Sequence, residues 1–185
     1  ESNRMHELVM SLLNISKQSS DLEEYSFREV NIKNIIDDLI SLKSLQIREK
    51  ELSIITNIEE VNIRGNKQYL IILFSNLIDN GIKYSYEKTN IIIEVKEDNN
   101  NLYFSILNKG KKIPYELKDK IFEPFVKVEE KGFSSKNSNG LGLYICKNIV
   151  LGHKGNIDLI LKDNKSKFII ELPKNLQVGN KLEQV

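Results

Sequence analysis

The segment from residue 67 to residue 84 constrains the fold most, because its apolar residues recur at the spacing of one long helix that is buried around much of its circumference. One stripe of that helix begins apolar and ends polar, and it contains Tyr69, Ile72, Leu73, Asn76, Asn80, Lys83 and Tyr84. The opposite side is also apolar, at Leu70, Ile71, Phe74, Leu77 and Ile78. We therefore expect this helix to start in the core and to carry its asparagines into a cavity.

The two asparagines need partners wherever they emerge. Burying an unpaired amide costs about 1 to 3 kcal/mol, so Asn76 and Asn80 each require a hydrogen bond or a ligand. Amide carbonyls are neutral, hard oxygen ligands that suit Mg²⁺, and Lys83, one turn on, would reach the phosphates of a nucleotide. The plainer alternative is that the asparagines bond the neighbouring backbone or each other, and for an isolated pair that alternative is favoured.

The overall composition excludes several classes of protein. The chain has 185 residues, 29% of them charged and 40% hydrophobic, which is typical of one folded globular domain. Its formal net charge of +1 provides no general attraction for nucleic acid or an anionic membrane, so we expect no nucleic-acid partner. No apolar run approaches the ~20 residues that cross a bilayer, and we expect a soluble, cytoplasmic domain. The one cysteine, Cys146, excludes an intrachain disulfide and is predicted to be a small buried hydrophobe.

Strands and helices are predicted to follow one another in a mixed order. Asn31 is expected to cap a helix after a short strand at 27–30, and the apolar residues of that helix are Ile32, Ile35, Ile36, Leu39 and Ile40. The other predicted elements are strands at 52–58, 91–95, 102–107, 156–161 and 168–172, and helices at 67–84 and 141–151. Strand pairs adjacent in sequence favour a mixed, mainly antiparallel sheet with helices on one face, in an α/β (α+β) two-layer arrangement.

The chain divides into four predicted segments. Residues 1–18 carry apolar side chains at spacings of three and four, as in a helix of a coiled coil or bundle: Met5, Leu8, Leu12 and Ile15. We predict a linker at 19–26, one domain at 27–173 and a polar tail at 174–185. Inside the domain, residues 129–139 form a long stretch without predicted structure, and loops of that length are usually functional or disordered.

Two glycine-containing segments add candidate binding groups. Asn108 and Gly110 directly follow a predicted strand, where a side-chain amide can hydrogen-bond a base edge while the glycine lets the ring approach. Residues 140–143 (GLGL) open a predicted helix, whose exposed N–H groups and positive dipole end favour an anion. Each segment alone is equally consistent with an ordinary turn.

Four segments together are far more specific than any one of them. Residues 76–84 read NLIDNGIKY, residues 108–114 read NKGKKIP, residues 121–125 read IFEPF and residues 140–143 read GLGL. In this order and spacing they resemble the N box, the first glycine box, the F box and the second glycine box of bacterial sensor histidine kinases. The likeness continues through the last predicted strand, and residues 4–8 (RMHEL) resemble the second helix of the family's dimerisation and phosphoacceptor hairpin.

The resemblance implies a fold and a set of site residues. The fold would be the two-layer sandwich of GHKL-type ATPases, known as the Bergerat fold, with residues 126–139 as a mobile lid over ATP. Asn76 and Asn80 would hold Mg²⁺ and, with Lys83 on a phosphate, form the catalytic set, while Asn108 would read the adenine amino group. The remaining implied nucleotide contacts are Tyr84, Gly110, Ile113, Phe125, Lys127, Gly140, Leu141, Gly142 and Leu143.

The resemblance also implies a reaction and partners. The domain would transfer the γ-phosphate of Mg·ATP to a histidine on the hairpin, leaving ADP, for relay to an aspartate on a response-regulator receiver domain. The hairpin would form a homodimer, and the parent protein would be anchored in the bacterial membrane. Neither His6 nor His153 lies in a phosphoacceptor context, so we expect the acceptor histidine on a first hairpin helix outside this sequence. His153 follows the last predicted helix, where a protonated side chain would be mildly stabilising.

This sequence departs from the family pattern at three positions. The usual aspartate of the first glycine box is Asn108, the second glycine of that box is Lys112, and the glycine two residues before Gly140 is Ser138. An asparagine still accepts a hydrogen bond from an adenine amino group, but as a neutral group, so weaker nucleotide binding is one consequence. We interpret the site as variant and functional, because both asparagines of the N box and the second glycine pair are present.

Cations after the F box form a further group of candidates. Lys127 stands where many relatives carry an arginine that contacts phosphate, and a lysine keeps the charge but lacks the bidentate fork. Lys131 and Lys136 are looser candidates, and solvated charges on the lid are the plainer interpretation of both.

Three other functions remain open from the sequence. A nucleotide-binding scaffold without transfer activity is consistent with the departures in the glycine boxes. Another GHKL ATPase, such as a serine kinase that acts as an anti-sigma factor, would have the same pocket, but residues 4–8 and the F box argue against it. A helical dimerisation module would account only for the first segment.

Overall fold

A five-stranded mixed sheet forms the frame of the molecule in the computed structural model, which describes residues 27–128 and 140–175. The strands are β1 (Arg28–Asn31), β2 (Ser53–Ile58), β3 (Asn62–Gly65), β4 (Asn90–Glu97), β5 (Asn101–Lys109), β6 (Asn156–Lys162) and β7 (Lys165–Pro173). The helices are α1 (Ile32–Leu42), α2 (Ser44–Glu49), α3 (Lys67–Tyr84) and α4 (Gly142–Gly152). Two 3-10 helical turns lie at Tyr115–Leu117 and Lys120–Phe122.

The sheet has the order β2-β4-β5-β7-β6, and only the β2–β4 pair is parallel. Strands β1 and β3 form a separate antiparallel pair. Helices α3 and α4 pack against the sheet and against each other, and α1 packs on α3. The predicted two-layer architecture with a mainly antiparallel sheet is therefore confirmed. In the part of the chain that the structure describes, each helix is too short or too polar to reach across a bilayer.

Alternation along the central strands determines which side chains face the helices. On β5, Leu102, Phe104 and Ile106 are buried, and Asn108 continues the same row at 5% exposure. In the sheet register Asn108 is paired with Ser166 of β7, which is also buried. The prediction placed Asn108 after the strand, but β5 continues to Lys109, because pairing with β7 extends to that residue. The inward row thus turns from apolar to polar at this end of the sheet.

Helix α3 has the bounds predicted from its periodicity, 67–84. Its N-cap is Asn66, whose Oδ1 accepts hydrogen bonds from the backbone N of Gln68 at 3.0 Å and of Tyr69 at 3.2 Å. Its buried residues are Leu70, Leu73, Phe74, Leu77, Ile78, Gly81 and Ile82. Ile71 remains 37% exposed, so the apolar surround is less complete than predicted near the start of the helix.

Two short elements were not predicted from the sequence. Helix α2 is only six residues long and buries a single residue, Ile47, so it has no periodic pattern to detect. Strand β3 has four residues, alternates between exposed and buried positions and pairs with β1. Both elements depend on tertiary partners, because segments of this length are not stable alone.

The end of α4 is joined to the start of α3 by a buried histidine. His153 is 1% exposed, its Nδ1 lies 2.8 Å from the carbonyl O of Ile149, and its Nε2 accepts from the backbone N of Asn66 at 3.2 Å. These contacts require a neutral ring that donates from Nδ1. Burial lowers the pKa of His153 from its usual 6.5, and the hydrogen bond to Ile149 opposes this only in part. The side chain is therefore a neutral link between two helices rather than a cation at a helix end.

We expect the folded domain to lose stability in mild acid because of His153. Its pKa is lower in the folded state than in the unfolded state, so the unfolded chain binds more protons as the pH falls through 6.5. The contribution of neutral His153 to stability is fully present above pH 6.5 and is lost as the pH falls below that value. Urea unfolding at about pH 7.5 and about pH 5.5 should show this decrease in the wild type. A His153→Gln variant should be less stable at the higher pH but should change less between the two, and an equal change in both proteins would contradict the assignment.

The single cysteine behaves as a small core residue. Cys146 on α4 is fully buried, and its Sγ lies 3.7 Å from the carbonyl O of Leu73 on α3. Burial raises the pKa of the Cys146 thiol well above its ordinary value, so the reactive thiolate is not populated at neutral pH. The prediction of a buried hydrophobe is confirmed.

Candidate nucleotide-binding site

The amide of Asn76 on α3 faces the start of α4. Its Oδ1 lies 3.3 Å from the position that a Cβ on Gly142 would occupy, so the glycine leaves room beside the amide. Leu141 is the N-cap residue of α4, and among the described residues no side chain caps this helix. The backbone N–H groups of the first turn are thus available to an anion, with the amide oxygen of Asn76 next to them.

Asn80 and Lys83 follow Asn76 on the same stripe of α3, at spacings of four and three residues. Asn80 is half-buried, whereas Lys83 is exposed. The Nζ of Lys83 lies 5.2 Å from the ring centroid of Tyr84, a cation–π distance that keeps the charge at the end of the helix. The stripe therefore presents two amides and then a cation, in the order that the sequence predicted.

The first glycine box is attached to the end of α3. A Cβ on Gly110 would lie 1.9 Å from the carbonyl O of Tyr84 and 3.1 Å from Nδ2 of Asn108, so only glycine fits there. The backbone N of Gly110 donates to Asn164 O at 2.8 Å, and the backbone N of Lys111 donates to Tyr84 O at 3.3 Å. Tyr84 is therefore brought next to Asn108 and Gly110, which follow it by more than twenty residues in sequence.

The last residue of the F box contacts the first residue of the second glycine box. The backbone N of Phe125 donates to Gly140 O at 2.9 Å, and a Cβ on Gly140 would lie 2.8 Å from the carbonyl C of Phe125. Gly140 has φ +67, a left-handed conformation that favours glycine. Phe125 is 70% exposed, and Lys127 is exposed as well. Phe125 and Gly140, which flank the predicted lid, are thus in contact. Residues 129–139, with Lys131, Lys136 and Ser138, lie outside the described residues.

The predicted site residues fall into two groups that share α3. One group joins Asn76 to Gly142, with Leu141 and Leu143 half-buried beside it, and the other joins Tyr84 to Asn108 and Gly110. Ile113 packs on the hydrophobic core. Residues 1–18, predicted to be part of the second hairpin helix, and the predicted linker at 19–26 lie outside the described residues, as does the tail from residue 176.

The residues at this site suit a hydrated Mg²⁺ held with phosphates. Within residues 27–128 and 140–175 there is no cluster of three or more His, Cys, Asp or Glu side chains that would hold a metal ion without other help. The acid between the two asparagines, Asp79, is paired with Lys43 at 2.6 Å. A cation here would rely on the amide oxygens of Asn76 and Asn80, on water and on the charge of a bound phosphate, a ligand set that Mg²⁺ accepts.

Sequence reasoning did not identify three residues that contact or adjoin the candidate site residues and the end of α3. Ser166 lies opposite Asn108 in the β5–β7 register, and the alternation of β7 with Phe168 was the signal that would have placed it on the inner face. Lys43 holds Asp79, and Lys50 donates to backbone carbonyls at the end of α3. Neither lysine had a local signal, because each contact joins segments more than thirty residues apart.

Comparison with known proteins identifies the family. Residues 65–176, more than half of the chain, match the family described as "Histidine kinase-, DNA gyrase B-, and HSP90-like ATPase". The chain belongs to this family. The match begins at β3 and includes α3, both glycine boxes and α4, which are the elements that build the site. The prediction that the chain contains a histidine-kinase type of ATP-binding domain is confirmed.

Individual relatives point to the histidine kinase branch. "Heme sensor protein HssS" of Staphylococcus haemolyticus (strain JCSC1435) is 32% identical over 177 residues, which cover 91% of this chain and 38% of that protein. The "Catalytic domain of histidine kinase ThkA" has a similar structure, with a TM-score of 0.72 and 29% identity over 80% of this chain and 97% of that one. ThkA in complex with response regulator protein TrrA gives a TM-score of 0.70 at 27% identity, covering 94% of this chain and 49% of that one. The chain spans less than two fifths of the length of HssS.

Proposed function

We propose that this chain transfers the γ-phosphoryl group of Mg·ATP to a histidine on a dimerisation hairpin, as the catalytic domain of a sensor histidine kinase. The approach of the Asn76 amide to Gly142 carries the proposal, because it joins the N box to a helix start that no side chain of the described residues caps. Similarity to HssS and to the catalytic domain of ThkA supports this reaction class. We also propose a homodimer formed through the hairpin and a cytoplasmic position for this domain in a membrane-anchored parent.

The base end of the nucleotide would be bound at the end of β5. The Asn108 side chain stands in the buried row beside Ser166, where it would accept from the adenine amino group. The missing side chain of Gly110 leaves room for the carbonyl O of Tyr84, so Gly110 would let the end of α3 lie close to the proposed base site. Tyr84, 40% exposed, would pack near the nucleotide.

The phosphate end would be bound between α3 and α4. The N–H groups at the start of α4 would donate to phosphate oxygens, and Lys83 and Lys127 would supply positive charge. Asn76 and Asn80 would hold Mg²⁺, which, when bound, neutralises part of the phosphate charge. The remaining residues of the second glycine box and Phe125 would keep the base of the lid in place.

Phosphoryl transfer would then require positioning more than covalent chemistry from this domain. The γ-phosphorus would form a bond to an imidazole nitrogen of the acceptor histidine as its bond to the β,γ-bridging oxygen breaks, and ADP would leave. The fixed donors and cations of α3 and α4 would stabilise the charge during this step. From the phosphohistidine the group would pass to a receiver-domain aspartate, a partner class suggested by the complex of ThkA with TrrA.

A titration of this chain with nucleotide tests the proposal. Calorimetry with ADP and with a non-hydrolysable ATP analogue, each with Mg²⁺ and with EDTA, should show saturable binding that is tighter with Mg²⁺. Guanine nucleotides serve as the control, because they lack the adenine amino group from which Asn108 would accept a hydrogen bond. Absence of binding at millimolar nucleotide, from a chain that circular dichroism shows to be folded, would refute the proposed function.

A nucleotide-binding scaffold without transfer activity is the second candidate, and Asn108 and Lys112, which replace a family aspartate and glycine, favour it. Labelling with γ-³²P-ATP separates the two. The parent protein with its hairpin should acquire acid-labile, base-stable phosphate, whereas this chain alone should not, because His6 and His153 lack the acceptor context. Nucleotide binding without labelling of the parent would favour the scaffold.

A further inference from the structure

The carbonyl groups at the end of α3 accept hydrogen bonds from a lysine in a distant part of the chain. The Nζ of Lys50 donates to the carbonyl O of Ile82 at 2.9 Å, of Lys83 at 2.8 Å and of Ser85 at 3.0 Å. The final carbonyls of a helix have no partner within the helix and must find one elsewhere. Lys50 therefore serves as a C-terminal cap that is supplied from outside the helix.

The carbonyls around this helix end are fully accounted for. Gly81 O accepts from the backbone N of Ser85 at 3.1 Å and from its Oγ at 2.6 Å, and Tyr84 O accepts from the backbone N of Lys111. Lys50 takes the other three, so every carbonyl from residue 81 to residue 85 has a donor. The helix end is thus shared by the α2 corner, by Ser85 and by the first glycine box.

Three simultaneous hydrogen bonds from one amine require three protons, which only the ammonium form carries. A positive charge at this place also interacts favourably with the negative end of the helix dipole. Burial lowers the pKa of Lys50 from its usual 10.5, and nearby Glu87 opposes that shift. The site is therefore built for a charge and is partly removed from water.

The backbone of Lys50 is itself held in place. Its N donates to Gln46 O at 3.3 Å, and its carbonyl accepts from the backbone N of Lys88 at 3.1 Å. One turn earlier on α3, Asp79 is paired with Lys43, whose side chain is only 13% exposed. The segment from the end of α1 to the end of α2 thus contacts the second half of α3 at two levels.

We propose that Lys50 is a positioning residue for the phosphate end of the nucleotide site, a role that rests on the proposed function of that site. Asn80 and Lys83 lie in the last part of α3, so their directions depend on a helix that stays wound to its end. Without the cap, the last turn would fray and the two side chains would lose their fixed direction. The base end would change less, because Asn108 is held by the pairing of β5 with β7, although Tyr84 lies in the turn that would fray.

The test compares Lys50→Met, Lys50→Arg and a control, Lys88→Met, in the full chain. Methionine keeps the length of the stem and removes the donors, and arginine restores donors and charge. Lys88 is an exposed lysine of the same corner, whose Nζ lies 3.4 Å from a carboxylate oxygen of Glu51. Calorimetry would give the ADP affinity with Mg²⁺ and with EDTA, and hydrogen exchange would report on residues 80–86. The ratio of the two affinities isolates the Mg²⁺-dependent part of binding.

We expect Lys50→Met to reduce the Mg²⁺-dependent gain in affinity about tenfold, equivalent to about 1.4 kcal/mol. The affinity in EDTA should fall by a clearly smaller factor, because only Tyr84 and Lys83 of the frayed turn would contact the nucleotide without Mg²⁺, and amide exchange should accelerate at 80–86 only. Lys50→Arg should recover most of the gain, and Lys88→Met should match the wild type.

Two results would overturn the positioning role: no change in the ratio, or an equal loss with and without Mg²⁺ together with faster exchange throughout the domain. Failure of the wild type to bind any nucleotide would instead refute the proposed function and with it this role, while exchange at 80–86 would still report whether the cap exists.

Discussion

Replacing Asn80 with alanine should remove most of the Mg²⁺-dependent binding of ADP by this chain. Asn80 is half-buried on the stripe that also carries Asn76, and its amide oxygen is one of the two proposed Mg²⁺ ligands. Loss of groups that merely support metal ligands costs about 10- to 100-fold in affinity, so loss of a ligand should cost at least as much. Calorimetry with Mg²⁺ and with EDTA measures the effect, and the EDTA affinity should change far less.

The same substitution should not unfold the domain. Alanine has a higher helix propensity than asparagine by about 0.5 kcal/mol, so α3 should be at least as stable after the change. Asn148→Ala is a matched control, because Asn148 is half-buried on α4 and its Nδ2 donates to the carbonyl O of Tyr144 one turn earlier on the same helix. If Asn80→Ala bound Mg·ADP as the control does, Asn80 would not be a metal ligand.

Replacing Gly110 with alanine should both destabilise the fold and impair nucleotide binding. The new Cβ would stand 1.9 Å from the carbonyl O of Tyr84, and a backbone atom cannot move aside as a side-chain end can. Overpacking of this kind typically costs about 1 to 3 kcal/mol, and we expect the upper end of that range because α3 and β5 must separate. Urea unfolding would measure the loss, and the ADP affinity would be measured on the fraction that remains folded.

The control for Gly110 is a second glycine on the same framework. At Gly81, the nearest atom to a Cβ would be Cδ1 of Ile106 at 3.0 Å, the movable end of a side chain, and Cδ1 of Ile91 would follow at 3.7 Å. Alanine in a helix interior gains about 1 kcal/mol over glycine. Gly81→Ala should therefore leave the free energy of unfolding close to that of the wild type. Equal stability of the two variants would show that the tight contact at Gly110 is not a constraint on the fold.

Long elements with a clear period were predicted well from the sequence. Helix α3 was predicted at its observed bounds, since eighteen residues of sustained apolar spacing leave little freedom. The Asn31 cap of α1 was also predicted, and its Oδ1 accepts from the backbone N of Asn34 at 3.0 Å. Helix α2 and strand β3 were missed, because six and four residues carry too few positions to show a period.

The candidate site was predicted as a set of residues but not as an arrangement. The asparagines, the glycine boxes and their order follow from local sequence, and all of them lie within the range of the family match, residues 65–176. Which amide faces which glycine depends on how α3 and α4 pack, because Asn76 and Gly142 are more than sixty residues apart in sequence. The roles of these residues in binding remain predictions that the titrations above would test.

Local chemistry along the chain was enough to specify the helices with strong periodicity, the strand alternation, the family and the residues that carry the proposed chemistry. Only tertiary structure decided that Lys50 caps α3, that Ser166 stands beside Asn108 and that His153 is neutral and buried. The physical reason is the separation along the chain between the residues that interact. Periodicity and capping act between residues a few positions apart, whereas burial, backbone carbonyl capping and pKa shifts depend on atoms that meet only after the whole chain has packed.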